Sequence, residues 1–133
     1  MAITKTVLKM NHIEALVKVV NDAAASGSAT IDLDVDLLKA NEELTGETPT
    51  VNLGAIECSV AVGAETTITR NSIVINNMFE NTQAFELPWG ADSQQNTSDI
   101  VVSFTGKGTV YLRLLKLKGY RPLFRPEQGV NLI

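Results

Sequence analysis

The sequence predicts an all-β chain: an antiparallel β-sandwich or jelly-roll-like domain with an extended C-terminal arm. Three observations point there. Apolar residues recur at every second position in several short runs, which is the period of a half-buried strand. Clusters of Gly, Asn, Ser and Asp separate those runs at short intervals. No stretch keeps apolar residues at helical spacing long enough to build a convincing helix.

Taken in order, "IEALVKV" puts Ile13, Ala15, Val17 and Val19 on one side, with Leu16 interrupting the polar side formed by Glu14 and Lys18. "NDAAASGS" reads as a loop of small and polar residues. "TIDLDVDL" alternates strictly, which predicts a strand with Ile31, Leu33, Val35 and Leu37 inward and Thr30, Asp32, Asp34 and Asp36 outward. "TVNLGAIECSVAV" changes phase. Val51 and Leu53 occupy odd positions, whereas Ile56, Cys58, Val60 and Val62 are even, so an extra residue is absorbed at a bulge or bend near Gly54. "TTITRNSIVIN" reads as a hairpin turning at Asn71-Ser72. "FELPWG" is a short edge strand stopped by Pro88. "DIVVSF" and "GTVYLRLLKLKGY" read as a pair joined by the turn "TGKG", with Ile100, Val102 and Phe104 facing inward on one strand and Val110, Leu112 and Leu114 on the other. The end, "RPLFRPEQGVNLI", has two prolines and no period. The expected organisation is therefore a sandwich over 1–120 and an arm over 121–133.

A chain of 133 residues is one domain's worth, with 44% apolar and 20% charged residues, the balance of a globular chain. The formal charge of -4 argues against general nucleic-acid binding, which calls for a basic excess. One cysteine, Cys58, forbids an internal disulfide. The N-terminus lacks the apolar run and cleavage site of a secretory signal, and no run is long and apolar enough to span a membrane. A protein made and used without export is the expectation.

Asp32, Asp34, Asp36 and Glu43 fall at positions 1, 3, 5 and 12 of a calcium-loop count. The residues between them argue otherwise. Position six, which needs glycine for a sharp turn, is Leu37. On a strand, alternate carboxylates stand roughly 7 Å apart, too far to share one ion without converging. An acidic surface facing solvent or a partner is the favoured reading, and a shared ion completed by another loop or subunit is the alternative. Catalysis finds little support. The only histidine, His12, and the only thiol, Cys58, belong to different runs, and Cys58 shares its face with Ile56 and Val60. There is no nucleophile elbow, zinc spacing or phosphate-binding loop. No cofactor is expected. "NTS" at Asn96 matches a glycosylation sequon, relevant only in a secretory pathway.

Arg113, Lys116, Lys118, Arg121 and Arg125 concentrate positive charge late in the chain, opposite in sign to the acidic row. Such polarity suits docking or self-association, with a solvated face as the plain alternative. Trp89, Tyr120 and Phe124 are candidate aromatic anchors. The expected interface residues are Asp32, Asp34, Asp36, Trp89, Arg113, Arg121, Phe124 and Arg125.

The opening "MAITKTVLKMNHIEALVKV", the middle "TITRNSIVI" and the close "NTSDIVVSFTGKGTVYLRLLKLKGY" together resemble small virion structural proteins of tailed bacteriophages, marine ones in particular. The resemblance covers about residues 1–120 and is one of layout. It implies a non-enzymatic building block of the particle: a capsid decoration or cement protein, or else a neck or tail component. Its partners would be other virion proteins, the major capsid protein first, and its own copies, a trimer being one arrangement. Neither a membrane nor nucleic acid is an expected partner, and the expected location is the virion, assembled in the host cytoplasm. A carbohydrate- or cell-surface-binding sandwich, with Trp89 and Tyr120 as stacking residues, is the reading from another class.

Overall fold

A computed structural model describes residues 3–11, 13–79, 81–87 and 95–122. They form an antiparallel sandwich of eleven strands. One sheet has five strands in the order β1 (Ile3–Met10), β2 (Glu14–Asn21), β10 (Gly108–Lys118), β5 (Thr50–Val60) and β8 (Asn81–Glu86). The other has four, ordered β3 (Gly27–Ile31), β9 (Ile100–Phe104), β6 (Thr66–Arg70) and β7 (Ile73–Met78). A two-stranded ribbon pairs β11 (Tyr120–Pro122) with β4 (Glu42–Leu44). Among the described residues no helix is long and apolar enough to cross a membrane.

Period-2 alternation builds the core. Ala15, Val17 and Val19 from β2, Val110, Leu112 and Leu114 from β10, and Val51, Leu53, Ile56, Cys58 and Val60 from β5 are all buried. They meet Ile31, Ile68, Met78, Ile100, Val102 and Phe104 from the facing sheet in one cluster. Ile13 lies just before β2 and Val62 just past β5; both are exposed. The phase slip in β5 is a bulge. Leu53 pairs with Leu114 and Ala55 with Arg113, so Gly54 is the extra residue that lets Leu53 and Ile56 face the same core.

The chain turns between β6 and β7 at Asn71 and Ser72, with φ of 50° and 62°. Positive φ at both central residues is the type I′ turn, whose twist matches that of the strands it joins.

Two expectations are corrected. β9 and β10 do not pair with each other. β9 lies between β3 and β6, and β10 between β2 and β5, in opposite sheets. Alternation reveals which side of a strand is buried but not its neighbour, and Val102 and Leu112 face one core from opposite layers. The link "TGK" arches from one layer to the other, held where the buried Asn21 Nδ2 donates to the Gly106 carbonyl at 2.9 Å. Nor is "TIDLDVDL" one strand. β3 stops at Ile31, and residues 33–37 form a turn. Asp side chains compete with a strand ladder for local amides. Asp36 Oδ2 accepts from Asp32 N at 2.7 Å, Asp32 Oδ1 accepts from Asp34 N at 2.9 Å, and Asp36 N donates to Asp32 O at 2.8 Å. Leu33 and Leu37, four apart, still reach the core, while Val35 swings out to 69% exposure.

The turn yields a stability prediction. Ser72 has a Cβ in left-handed backbone, where glycine is less strained. Ser72→Gly should stabilise the fold by about 0.5–1 kcal/mol, the left-handed penalty less the added chain entropy of glycine. Chemical denaturation with an unchanged m-value would check it.

Candidate interaction surface

The two sheets present outer faces of different chemistry. On the five-stranded sheet, Leu16, Lys18, Ala55, Glu57, Ala84, Glu86, Tyr111 and Arg113 point away from the core. Arg113 Nη2 pairs with Glu14 Oε2 at 3.2 Å, and Lys18 Nζ sits 5.9 Å from the centre of the Tyr111 ring. Leu16, Ala55, Ala84 and Tyr111 line a shallow groove rimmed by Glu57, Glu86 and Arg113. This face is charged and mixed in sign.

The four-stranded sheet differs. Register aligns its outward residues in two rows across four strands. One row runs Thr30, Val101, Thr69, Val74; the other runs Ser28, Ser103, Thr67, Asn77. None of these residues is charged. Thr67 Oγ1 donates to Asn77 Oδ1 at 2.9 Å within the second row. The one cation of these strands, Arg70, points inward and is fully buried, donating to the carbonyls of Ser98 and Val51. Along β7 and just past its end the apolar character continues, with Ile73, Val74 and Phe79 each at least half exposed.

The residues expected at an interface do not come together. Asp36 is engaged by Lys5 Nζ at 2.6 Å, and Asp32 is a turn former, so the three aspartates make a local knot rather than a row. Among the described residues no three His, Cys, Asp or Glu side chains form a group able to hold a metal ion. The basic cluster is likewise dispersed. Arg113 lies on the outer face of the five-stranded sheet, Arg121 pairs with Glu43 at 2.8 Å, and Lys116 is buried. Arg121 and Pro122 belong to β11, so the paired chain runs two residues into the segment read as an arm. His12, Trp89, Phe124 and Arg125 lie outside the described residues. Cys58 is buried in the core.

Lys116 is the residue the sequence disguised. It takes the inward position after Leu114, and its Nζ donates to Glu42 Oε1 at 2.6 Å and to the Asn11 carbonyl at 3.0 Å. The Tyr120 ring lies 4.3 Å away. Both side chains of the ion pair are essentially inaccessible, at 0% and 1% exposure, so the pair sits where a leucine would. Burial lowers the ammonium's pKa; the hydrogen bond and charge of Glu42 oppose the shift, and the charge of Lys39 adds to it. Glu42 Oε1 also accepts from Lys39 N at 2.9 Å, tying the approach to β4 to the sandwich. Gly119, at φ 98°, makes the bend into β11; a Cβ there would lie 2.5 Å from Pro49 Cα. The phenol of Tyr120 donates to the Leu33 carbonyl at 2.6 Å, tying the ribbon to the turn at residues 33–37.

The uncharged rows had a signal in the sequence. The outward positions of "GSATI", "IVVSF" and "TTITR" are hydroxyl-bearing or apolar throughout. Only the strand order, however, makes them neighbours.

Two predictions concern the ribbon. Removing one member of a buried ion pair strands the other charge, so Glu42→Gln should cost about 3–5 kcal/mol. Lys116→Met combined with Glu42→Gln should recover most of that loss in denaturant unfolding. The second concerns pH. Burial first, then the charges of Asp34, Glu42, Asp32 and Asp99, raise the Tyr120 pKa above its ordinary 10.0. Below 10.0 folded and unfolded chains both keep the proton; above it the unfolded chain releases it first, so stability falls as pH rises past that value. Tyr120→Phe should lose this component of the alkaline slope, read as the difference between the two unfolding curves across pH 9–11.

Comparison of the chain with protein-family models, with curated proteins and with solved structures finds no match.

Proposed function

We propose that this chain is a structural protein of a bacteriophage particle, a capsid decoration or cement protein, and that it docks through the uncharged outer face of its four-stranded sheet. The observation that carries the reading is the division of charge between the two outer faces. Charged residues stud the five-stranded face, while the two aligned rows of the other face have none. Depletion of charge marks the centre of a protein interface, because each ion buried there must be desolvated. Hydroxyl and β-branched side chains have little rotamer freedom to lose on contact. The likeness of the sequence's layout to phage virion proteins supports the same reading.

The size of the face sets the mode of action. Four strands about 4.8 Å apart, carrying two rows about 7 Å apart, cover roughly a few hundred Å², against about 800 Å² per partner in a standard interface. One copy therefore binds weakly, and repetition on a lattice supplies the rest through effective concentration. A neck or tail component would use the same face at fewer sites. Copy number in purified particles separates the two, hundreds of copies for the capsid against a single ring for the neck or tail.

Thr67→Glu with Thr69→Glu places two carboxylates in the middle of the uncharged rows. The variant should fold, by circular dichroism, and lose at least about tenfold in attachment to particles lacking the protein. Lys18→Glu, on the opposite face, should attach as the unmodified chain does. If the Thr67, Thr69 variant decorates particles normally, the docking reading is wrong.

A further inference from the structure

The edges of the sandwich are not equally guarded. β1 carries Lys5 and Lys9 and slips register between Val7 and Lys9. The rim of β3 lies against β1, where Lys5 Nζ donates to the Thr30 carbonyl at 2.6 Å. β8 ends in Glu86. β7, "IVINNM", has no charge and no proline, and among the described residues no strand lies beyond it in the four-stranded sheet. A strand edge of this kind is a template for another strand.

The backbone of β7 states which strand would fit. The two-residue turn is closed by the pair Arg70 and Ile73, whose backbone groups bond to each other. The groups of the next residue, Val74, therefore point away from β6. The pairing then slips: Thr69 pairs with Val74 but Ile68 with Asn76, so Ile75 is extra and stands with Asn76 opposite Ile68. Burial agrees. Val74 and Asn77 are exposed, Ile75 and Asn76 between them are half-buried, and Met78 is buried. The outward-pointing backbone groups of β7 are thus those of Val74 and Asn77, three residues apart. In the single copy the Asn77 amide donates to Asn76 Oδ1 at 3.0 Å, a local bond that strand pairing would exchange for a carbonyl of the second copy. A regular strand offers such groups two apart, so it matches one and misses the other. A strand containing the same extra residue matches both.

We infer that β7 pairs antiparallel with β7 of a second copy, about a two-fold axis passing between Ile75 and Asn76. Val74 then lies opposite Asn77 of the second copy, and Asn77 opposite its Val74. The two bulges face each other and cancel in register. No like charges meet, because β7 has none. The two four-stranded sheets join into one continuous sheet of eight strands. The row Thr30, Val101, Thr69, Val74 runs on into Asn77, Thr67, Ser103 and Ser28 of the second copy. The pair thereby doubles the uncharged face, bringing it closer to the area of a standard interface. The contact is isologous and closes on itself, so it yields a dimer rather than a fibre. It rests on the geometry of the edge alone and requires no particle.

Sedimentation of the full chain, with no particle present, tests this. The unmodified chain should show a concentration-dependent monomer–dimer equilibrium. Val74→Lys with Asn77→Lys sets lysines opposite each other at both pairs and should weaken dimerisation at least about tenfold. Val74→Lys with Asn77→Glu sets lysine opposite glutamate in the same register and should restore it to within about threefold of the unmodified chain. Circular dichroism checks that both variants fold. In hydrogen exchange, the amide of Val74 should slow as concentration rises, while those of Ile73 and Met78, already bonded to β6, should not change. A chain that stays monomeric at its solubility limit overturns the inference, and means the bulge serves only to blunt the edge. So does dimerisation unaffected by paired lysines, failure of the lysine–glutamate variant to recover, or fast exchange at Val74 in the dimer. None of these results bears on the docking reading, which attachment of the Thr67, Thr69 variant decides separately.

Discussion

Strand β10 is the constraint on which the rest of the sandwich depends. It is the centre of the five-stranded sheet, paired along most of its length with β2 on one side and β5 on the other. Its inward residues Val110, Leu112 and Leu114 are completely buried. Each such side chain contributes about 1.5–3 kcal/mol of apolar burial. Remove β10 and the sheet falls into two separate pieces, each with an unpaired edge. The fourth inward position, Lys116, departs from this pattern, and the departure fastens the ribbon. Glu42 cannot leave the sandwich without stranding an ammonium in a site with no water access.

Much of the fold could be read from alternation, because one buried face per strand leaves a direct imprint on sequence. The bulge at Gly54 was visible as a change of phase, and the hairpin at Asn71-Ser72 as a residue pair that tolerates positive φ. The limits have physical causes. Alternation is symmetric between the two layers of a sandwich, so β9 and β10 looked like a hairpin when they were opposite walls of one core. The Asp32–Asp36 segment fits both a strand and a helical turn, since Leu33 and Leu37 reach the core in either. The choice was made by carboxylates bonding local amides, which spacing does not reveal. Lys116 resembled a surface charge because its burial depends on Glu42, distant in sequence. The candidate surface was the least legible part. Its residues lie on four strands whose spatial order differs from their chain order, and what marks them is a shared lack of charge rather than a motif.

The ion pairs explain why one face can stay neutral while the chain is one-fifth charged. Lys5 with Asp36, Arg113 with Glu14 and Arg121 with Glu43 are all partly exposed and placed on loops, on the ribbon or on the five-stranded face. Exposed pairs of this kind add little stability, about 0–1 kcal/mol each. Their structural consequence is positional: charge is held at the rim and on one side. A sandwich so divided has a preferred orientation toward any neutral surface it meets, because turning over would desolvate Glu57, Glu86 and Lys18 instead of threonines.

The late position of β10 also governs the order in which the molecule can be made. β2 and β5 are both synthesised long before the strand that lies between them. Until residues 108–118 leave the ribosome, each lacks its partner on the inner side, and their apolar faces have no completed sheet to join. The five-stranded layer therefore closes late, through contacts far apart in sequence, the circumstance that makes β-sandwiches slow to fold. During that interval the nascent chain depends on local hairpins, β1 with β2 and β6 with β7, and on the chaperones that meet it. A protein needed in many copies would then be limited in supply by folding yield as much as by translation.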